Sequence, residues 1–252
     1  MWFGQLPFLT GVQIQSSWSY ANDVNLLAAG ANNPATGTAG TGIYSGRQQP
    51  LVAVMNRRVG VRQLYVAKVP KRVQSYNRAK RQTMLTKSES ATTLLPEADI
   101  ILKRDYLEMY TTELVNVTHD DRLQRRLCYN ENFCCDFELS WQPLQRTAAN
   151  HSLRYSYRLG AYEGWRNTKG GELNQIKNCA VFACIGEDIE DCGRLLPGGE
   201  ERRPPHVVFH RVLIEAFMPN APHYLLMPNS LCGESLFPLP VNSFQWNVTD
   251  QG

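Results

Sequence analysis

The cysteines constrain this chain more than any other feature. All seven, Cys128, Cys134, Cys135, Cys179, Cys184, Cys192 and Cys232, lie after residue 127. The first six form two triplets, with local spacings C-x5-C-C, C-x4-C and C-x7-C. None of these is the C-x2-C knuckle that a tetrahedral zinc site prefers. The set therefore reads as a disulfide framework, with zinc as the alternative, and a disulfide framework requires an oxidising compartment. Adjacent Cys134 and Cys135 are expected to reach different partners. Spacing alone does not fix the pairing, and Cys232 is left either free or paired outside the chain.

Three N-glycosylation sequons fall in the same half, at Asn116-Val117-Thr118, Asn150-His151-Ser152 and Asn247-Val248-Thr249. They agree with a secretory route. The start, Met1-Trp2-Phe3-Gly4-Gln5-Leu6-Pro7, carries neither a basic n-region nor a cleavable apolar stretch, so no signal peptide is read there. The expectation is that Met1 is not the natural start and that the chain is the C-terminal part of a longer secreted precursor. No run of about 18 apolar residues occurs, so no transmembrane helix is expected.

Charge is divided as unevenly as cysteine. Residues 1–88 carry a net charge of +10, with Asp23 the one acid, and residues 89–252 a net of −7. The first part has a weak helical stripe over 12–21, through Val12, Ile14, Trp18 and Ala21. After it come a short apolar run at 24–29, read as a buried strand, and strands at 43–44, 51–55 and 63–69. Between them, Gly37-Thr38-Ala39-Gly40-Thr41-Gly42 lacks the Lys-Ser/Thr of a phosphate loop and reads as a glycine-rich turn feeding the strand at Ile43. A helix followed by strands points to an α/β sheet layer over 1–70. Residues 71–95 are polar and basic and read as a linker. From 96 to 252 short apolar segments recur between turn residues: 100–102, 114–115, 137–141, 153–159, 180–183, 207–209, 212–214 and 224–227. That is the pattern of a mainly β module.

Few residues offer chemistry. The basic residues between Arg57 and Arg81 could be a nucleic-acid footprint, but the acidic second half and the secretory features favour a solvated linker, so no nucleic-acid partner is expected. His206 and His210 would lie about 13 Å apart along a strand, too far for one ion, and no metal is expected. No Gly-x-Ser-x-Gly elbow occurs, and every cysteine belongs to the disulfide-like set.

Several stretches resemble one family: Met1-Trp2-Phe3-Gly4-Gln5-Leu6-Pro7-Phe8-Leu9, Trp18-Ser19-Tyr20-Ala21, Val24-Asn25-Leu26-Leu27-Ala28-Ala29 and Gly40-Thr41-Gly42-Ile43-Tyr44. In the second half they are joined by Cys128, Cys134-Cys135, Leu159-Gly160-Ala161-Tyr162-Glu163-Gly164, Cys179, Cys184 and Cys192-Gly193. Nearly the whole chain is thereby similar to the C-terminal portion of the vanin/biotinidase family, within the nitrilase-type carbon–nitrogen hydrolases. The resemblance implies an α+β chain: the C-terminal part of a nitrilase-type α-β-β-α sandwich, followed by a disulfide-rich, mainly β base domain. It implies a parent enzyme that hydrolyses a small-molecule linear amide such as pantetheine or biocytin without a cofactor. The family uses a Glu–Lys–Cys triad as base, charge stabiliser and nucleophile. All three members precede the segment matching Met1-Trp2, so no catalytic residue is carried over and the chain alone is expected to be inactive. Trp2 and Phe3 match a loop near the pocket. The family often ends in an apolar tail that signals a lipid anchor; residues 247–252 are not such a tail, which leaves anchoring open. The rival expectation is a non-catalytic secreted binding module. About 70 residues of a two-sheet sandwich cannot complete its core, so residues 1–70 are expected to be loose while the base domain folds alone.

Overall fold

The computed structural model describes residues 4–48, 50–57, 60–71, 100–117, 119–143, 155–168, 171–194, 207–218 and 226–227. It is mostly β, with one α-helix among the described residues and three disulfides. A short strand β1 (Gln5–Leu6) leads into helix α1 (Gly11–Asn22). Thr10 starts the helix with a capping box: its hydroxyl accepts from Gln13 N at 3.3 Å, and Gln13 Oε1 accepts from Thr10 N at 2.8 Å. This satisfies two of the donors that a helix start leaves unpaired. Asp23 closes the helix in the left-handed conformation. Strands β2 (Asn25–Ala28), β3 (Thr41–Ser45) and β4 (Val52–Val54) follow and pair antiparallel in the order β2-β3-β4. Residues 37–40 lead into β3, with Gly37 and Gly40 at positive φ, and Thr41 and Gly42 are already its first two residues.

Two expectations for this layer fail. Residues 25–28 form a strand but not a buried one, since Leu27 is 73% exposed. Residues 63–69 are not a strand; their exposure alternates, but Leu64 and Val66 stand 86% and 75% exposed and no ladder pairs them. The physical reasons differ in part. β2 has a partner in β3 but no covering layer on its Leu27 side, and residues 63–69 have neither a partner strand nor a covering layer among the described residues. Among the described residues the nitrilase-type sandwich is accordingly not seen; they show one small sheet with one helix.

The second half begins with β5 (Lys103–Arg104), immediately after Ile100-Ile101-Leu102, which is not itself a strand. Then come β6 (Thr111–Val115), β7 (Arg122–Tyr129), β8 (Phe133–Pro143), β9 (Ser156–Thr168), β10 (Gly171–Cys184) and β11 (Val207–Ala216). They form two antiparallel three-stranded sheets, β10-β9-β6 and β11-β8-β7. Along β8 the side chains alternate strictly: Phe133, Cys135, Phe137, Leu139 and Trp141 are buried, and Asp136, Glu138 and Ser140 are less so. The buried set meets Leu159, Ala161, Tyr157 and Val181 of the facing sheet in one core, the arrangement of a β-sandwich. The expected strands at 207–209 and 212–214 are one strand, interrupted by a bulge beside the exposed His210. His206 and residues 224–225 of the last expected strand lie outside the described residues, and Leu226-Met227 are not in a strand.

Candidate functional site

The cysteines do form disulfides. Cys128–Cys134 closes the β7–β8 hairpin, Cys184–Cys192 closes a short loop after β10, and Cys135–Cys179 joins the two sheets. Cys134 and Cys135 reach different partners because successive residues of β8 point to opposite faces of its sheet. All six described cysteines are thus oxidised and cannot act as thiolate nucleophiles or metal ligands. Among the described residues no group of three His, Cys, Asp or Glu side chains gathers as metal ligands would. Trp2, Phe3, Asn150, Asn247 and Cys232 lie outside the described residues; Asn116 is exposed just after β6.

A buried ion pair sits where the first part of the chain meets the sandwich. Strand β1 pairs in parallel with β5, Gln5 opposite Lys103 and Leu6 opposite Arg104. Lys103 N donates to Gly4 O at 3.0 Å, and Asp105 N donates to Leu6 O at 2.9 Å. Beneath this ribbon Asp105 is 1% exposed and Arg166, on β9, is 5% exposed. Arg166 Nη2 lies 2.7 Å from Asp105 Oδ1 and donates to Oδ2 at 2.9 Å. Burial pushes the Asp105 carboxyl above its ordinary value, against the downward pull of the Arg166 and Arg104 guanidiniums.

Arg104 ties the same ribbon to the disulfide loop. Its Nε donates to Cys192 O at 2.7 Å, its Nη2 to Ile189 O at 2.7 Å and its Nη1 to Glu108 Oε1 at 2.8 Å. Gly193, at φ 65°, lets this loop approach Leu6 and Pro7: a Cβ there would stand 3.1 Å from Leu6 O. Phe8 completes the contact by stacking on Tyr110 at 5.9 Å and meeting Phe182 edge-on at 5.8 Å. Tyr110 in turn stacks on Tyr162 at 4.6 Å and accepts from Asn178 Nδ2 at 3.2 Å. Its burial raises its hydroxyl pKa.

This arrangement holds two parts of a protein together and offers no nucleophile beside a base. The residues that build it, Phe8, Arg104, Asp105 and Arg166, were not legible beforehand. Arg166 is 61 positions from its partner, and no local spacing signals so distant a pair. The one hint was that Arg104-Asp105 interrupts an otherwise apolar approach through Ile100-Ile101-Leu102. Trp2 and Phe3 directly precede this junction in the sequence.

Residues 100–252 match the family model described as the Vanin C-terminal domain. Vanin-like protein 1 of Drosophila melanogaster is 43% identical over 249 residues, which cover 98% of this chain and 44% of that protein. Biotinidase of Takifugu rubripes is 26% identical over 212 residues, covering 80% of this chain and 40% of that protein. Pantetheinase of Mus musculus is 27% identical over 192 residues, covering 76% and 34% respectively. The chain therefore spans less than half the length of these curated relatives.

Proposed function

Since the chain belongs to the vanin/biotinidase family, matching its C-terminal domain over residues 100–252, we propose that it is the C-terminal part of a secreted amidohydrolase that cleaves a small linear amide such as pantetheine or biocytin. In this reading residues 96–252, with the β sandwich, are the enzyme's base domain and residues 1–70 are the last part of its catalytic domain. Glutamate, lysine and cysteine of the reaction lie in the remainder of the parent enzyme, so the chain on its own does not turn over. The carrying observation is that likeness to the vanin-like proteins extends over 98% of the chain, well beyond the C-terminal domain, yet reaches only 44–46% of their length. Two features of the structure support it. Leu27 stands exposed on the three-stranded sheet, and Leu64 and Val66 stand exposed in the segment that follows it, as expected of a layer whose covering half is elsewhere. Three disulfides fit an oxidising compartment. No helix among the described residues is long and apolar enough to cross a membrane.

Two measurements test this. Purified chain is incubated with pantetheine and with biocytin, and release of cysteamine or biotin is followed; the expected result is no release above blank. The coding sequence upstream of Met1 is then read for an in-frame Glu, Lys and Cys behind a signal peptide. Finding them supports the enzyme. Authentic initiation at Met1 instead supports a non-catalytic secreted binding module, for which the self-contained sandwich would be sufficient.

A further inference from the structure

We infer that the edge strand β11 pairs with β11 of a second copy of this chain, antiparallel and centred on Leu213. Strand β11 is the outer strand of its sheet, in the order β11-β8-β7, and no strand lies beyond it among the described residues. A bulge between Phe209 and Arg211 interrupts its first half, but from Arg211 to Ala216 its register with β8 is unbroken. This half is therefore a regular strand with an open edge, and such an edge templates pairing with another chain unless it is guarded. The usual guards are proline, lysine or a charge turned inward. Residues 211–216 hold neither proline nor lysine. Their two charges, Arg211 and Glu215, lie opposite Ser140 and Asp136, on the outward face of β8.

The occupant is fixed by the sequence of that edge, because Arg211-Val212-Leu213-Ile214-Glu215 is complementary to itself. Laid antiparallel on a second copy, it puts Arg211 opposite the partner's Glu215, Glu215 opposite the partner's Arg211, and Leu213 opposite its own copy. On the inward face Val212 meets the partner's Ile214, and Ile214 the partner's Val212. Opposite charges and branched apolar pairs facing across a ladder both stabilise it. Each copy also has a deficit that the other fills. Glu215 stands directly opposite Asp136, a repulsive pair. Arg126 lies 3.5 Å from Asp136 and Arg211 2.7 Å from Glu138, whereas Glu215 forms no ion pair among the described residues. Leu213 and Glu215 are among the residues lining a hollow of about 360 Å3 on this face, with Asp136 and Glu138. The partner's Arg211 enters that hollow beside Glu215. Val212 faces the core side yet is 43% exposed, and the partner's Ile214 covers it. The two-fold contact closes on itself, so association stops at a dimer, in which two three-stranded sheets join as one of six. A single strand pair is small beside obligate interfaces, so this dimer is expected to dissociate on dilution.

Sedimentation velocity of the full chain over a wide concentration series tests this. A monomer–dimer equilibrium is expected. Arg211→Glu and Glu215→Arg each set two like-charge pairs across the axis, and each should weaken the dimer at least about tenfold. Mixing the two single variants restores opposite charges at both pairs and should recover association as a heterodimer. Carrying both substitutions in one chain should recover the homodimer. Unchanged amide exchange in β8 confirms that the variants are folded. A chain that stays monomeric throughout overturns the inference, and so does failure of the mixture to associate. Self-association that neither single variant weakens also overturns it, because the contact would then lie elsewhere, as on the exposed Leu27 side of the other layer. Slow exchange of every amide from Arg211 to Ala216 in the monomer overturns it too, since another part of the same chain would already cover the edge.

Discussion

The two halves of this chain are built from similar strands and end with different amounts of buried surface. In the sandwich, β8 places five side chains from Phe133 to Trp141 on one face, and all five are buried against the opposite sheet. In the α/β layer, β2 alternates as regularly, yet its outward Leu27 is 73% exposed. The difference is not in local propensity. A sheet face becomes a core when a second layer is present to meet it: the two sheets of the sandwich cover each other, while in the first part α1 packs on β3, with Val12, Ala39 and Met55 buried, and the Leu27 side of the sheet has no covering layer among the described residues. The sandwich also carries every described disulfide. The first part is held by something else, the ribbon of β1 and β5 with the buried Asp105–Arg166 pair beneath it. Residues 4–8 therefore belong energetically with the sandwich, although they come before the helix of the other layer.

That contrast can be broken at the junction first. Asp105→Asn leaves Arg166 charged and buried without its counter-ion, at an expected cost of about 4 kcal/mol. Urea unfolding should show it, together with faster amide exchange in residues 4–10. Within the sandwich, replacing both Cys135 and Cys179 by Ala opens a crosslink spanning 44 positions, and the expected loss is about 3–4 kcal/mol. Leu159, fully buried between the sheets, should lose about 3 kcal/mol on change to Ala. The matched change in the other layer, Leu27→Ala, should move stability by less than about 0.5 kcal/mol in this chain. A large effect at Leu27 would mean that the layer is covered after all. Thr10→Ala, which removes the capping hydroxyl of α1, should cost about 1 kcal/mol, read as a loss of helical signal.

How much of this was legible in the sequence followed the reach of the interactions. The β-rich second half, the disulfide reading of the cysteines and the separate partners of Cys134 and Cys135 could be read from spacing and alternation, because they depend on neighbours within a strand. The helix at 11–22 and the glycine-rich turn before β3 were visible for the same reason. Strand β7 was missed, since Arg122, Gln124, Arg125 and Arg126 break up the apolar signal of Leu123 and of Leu127-Cys128-Tyr129. Residues 63–69 were over-read, because their alternating pattern has no strand to pair with among the described residues. The candidate site was the least legible part. Asp105, Arg166 and Arg104 are brought together by the sheet topology, and nothing near any of them in sequence indicates what it will meet. The family resemblance supplied the functional reading, and the composition alone did not.

Hydrogen exchange resolved by peptide tests the comparison most directly. Amides of Phe133–Pro143, Ser156–Thr168 and Gly171–Cys184 should exchange slowly and together, through unfolding of the whole sandwich. Amides of Asn25–Ala28 and of residues 60–71 should exchange far sooner, with residues 4–10 protected alongside the sandwich. Equal protection of the two layers would contradict the account, because it would require the small cluster of Val12, Ala39 and Met55 to hold its layer as firmly as the two-sheet core holds the sandwich.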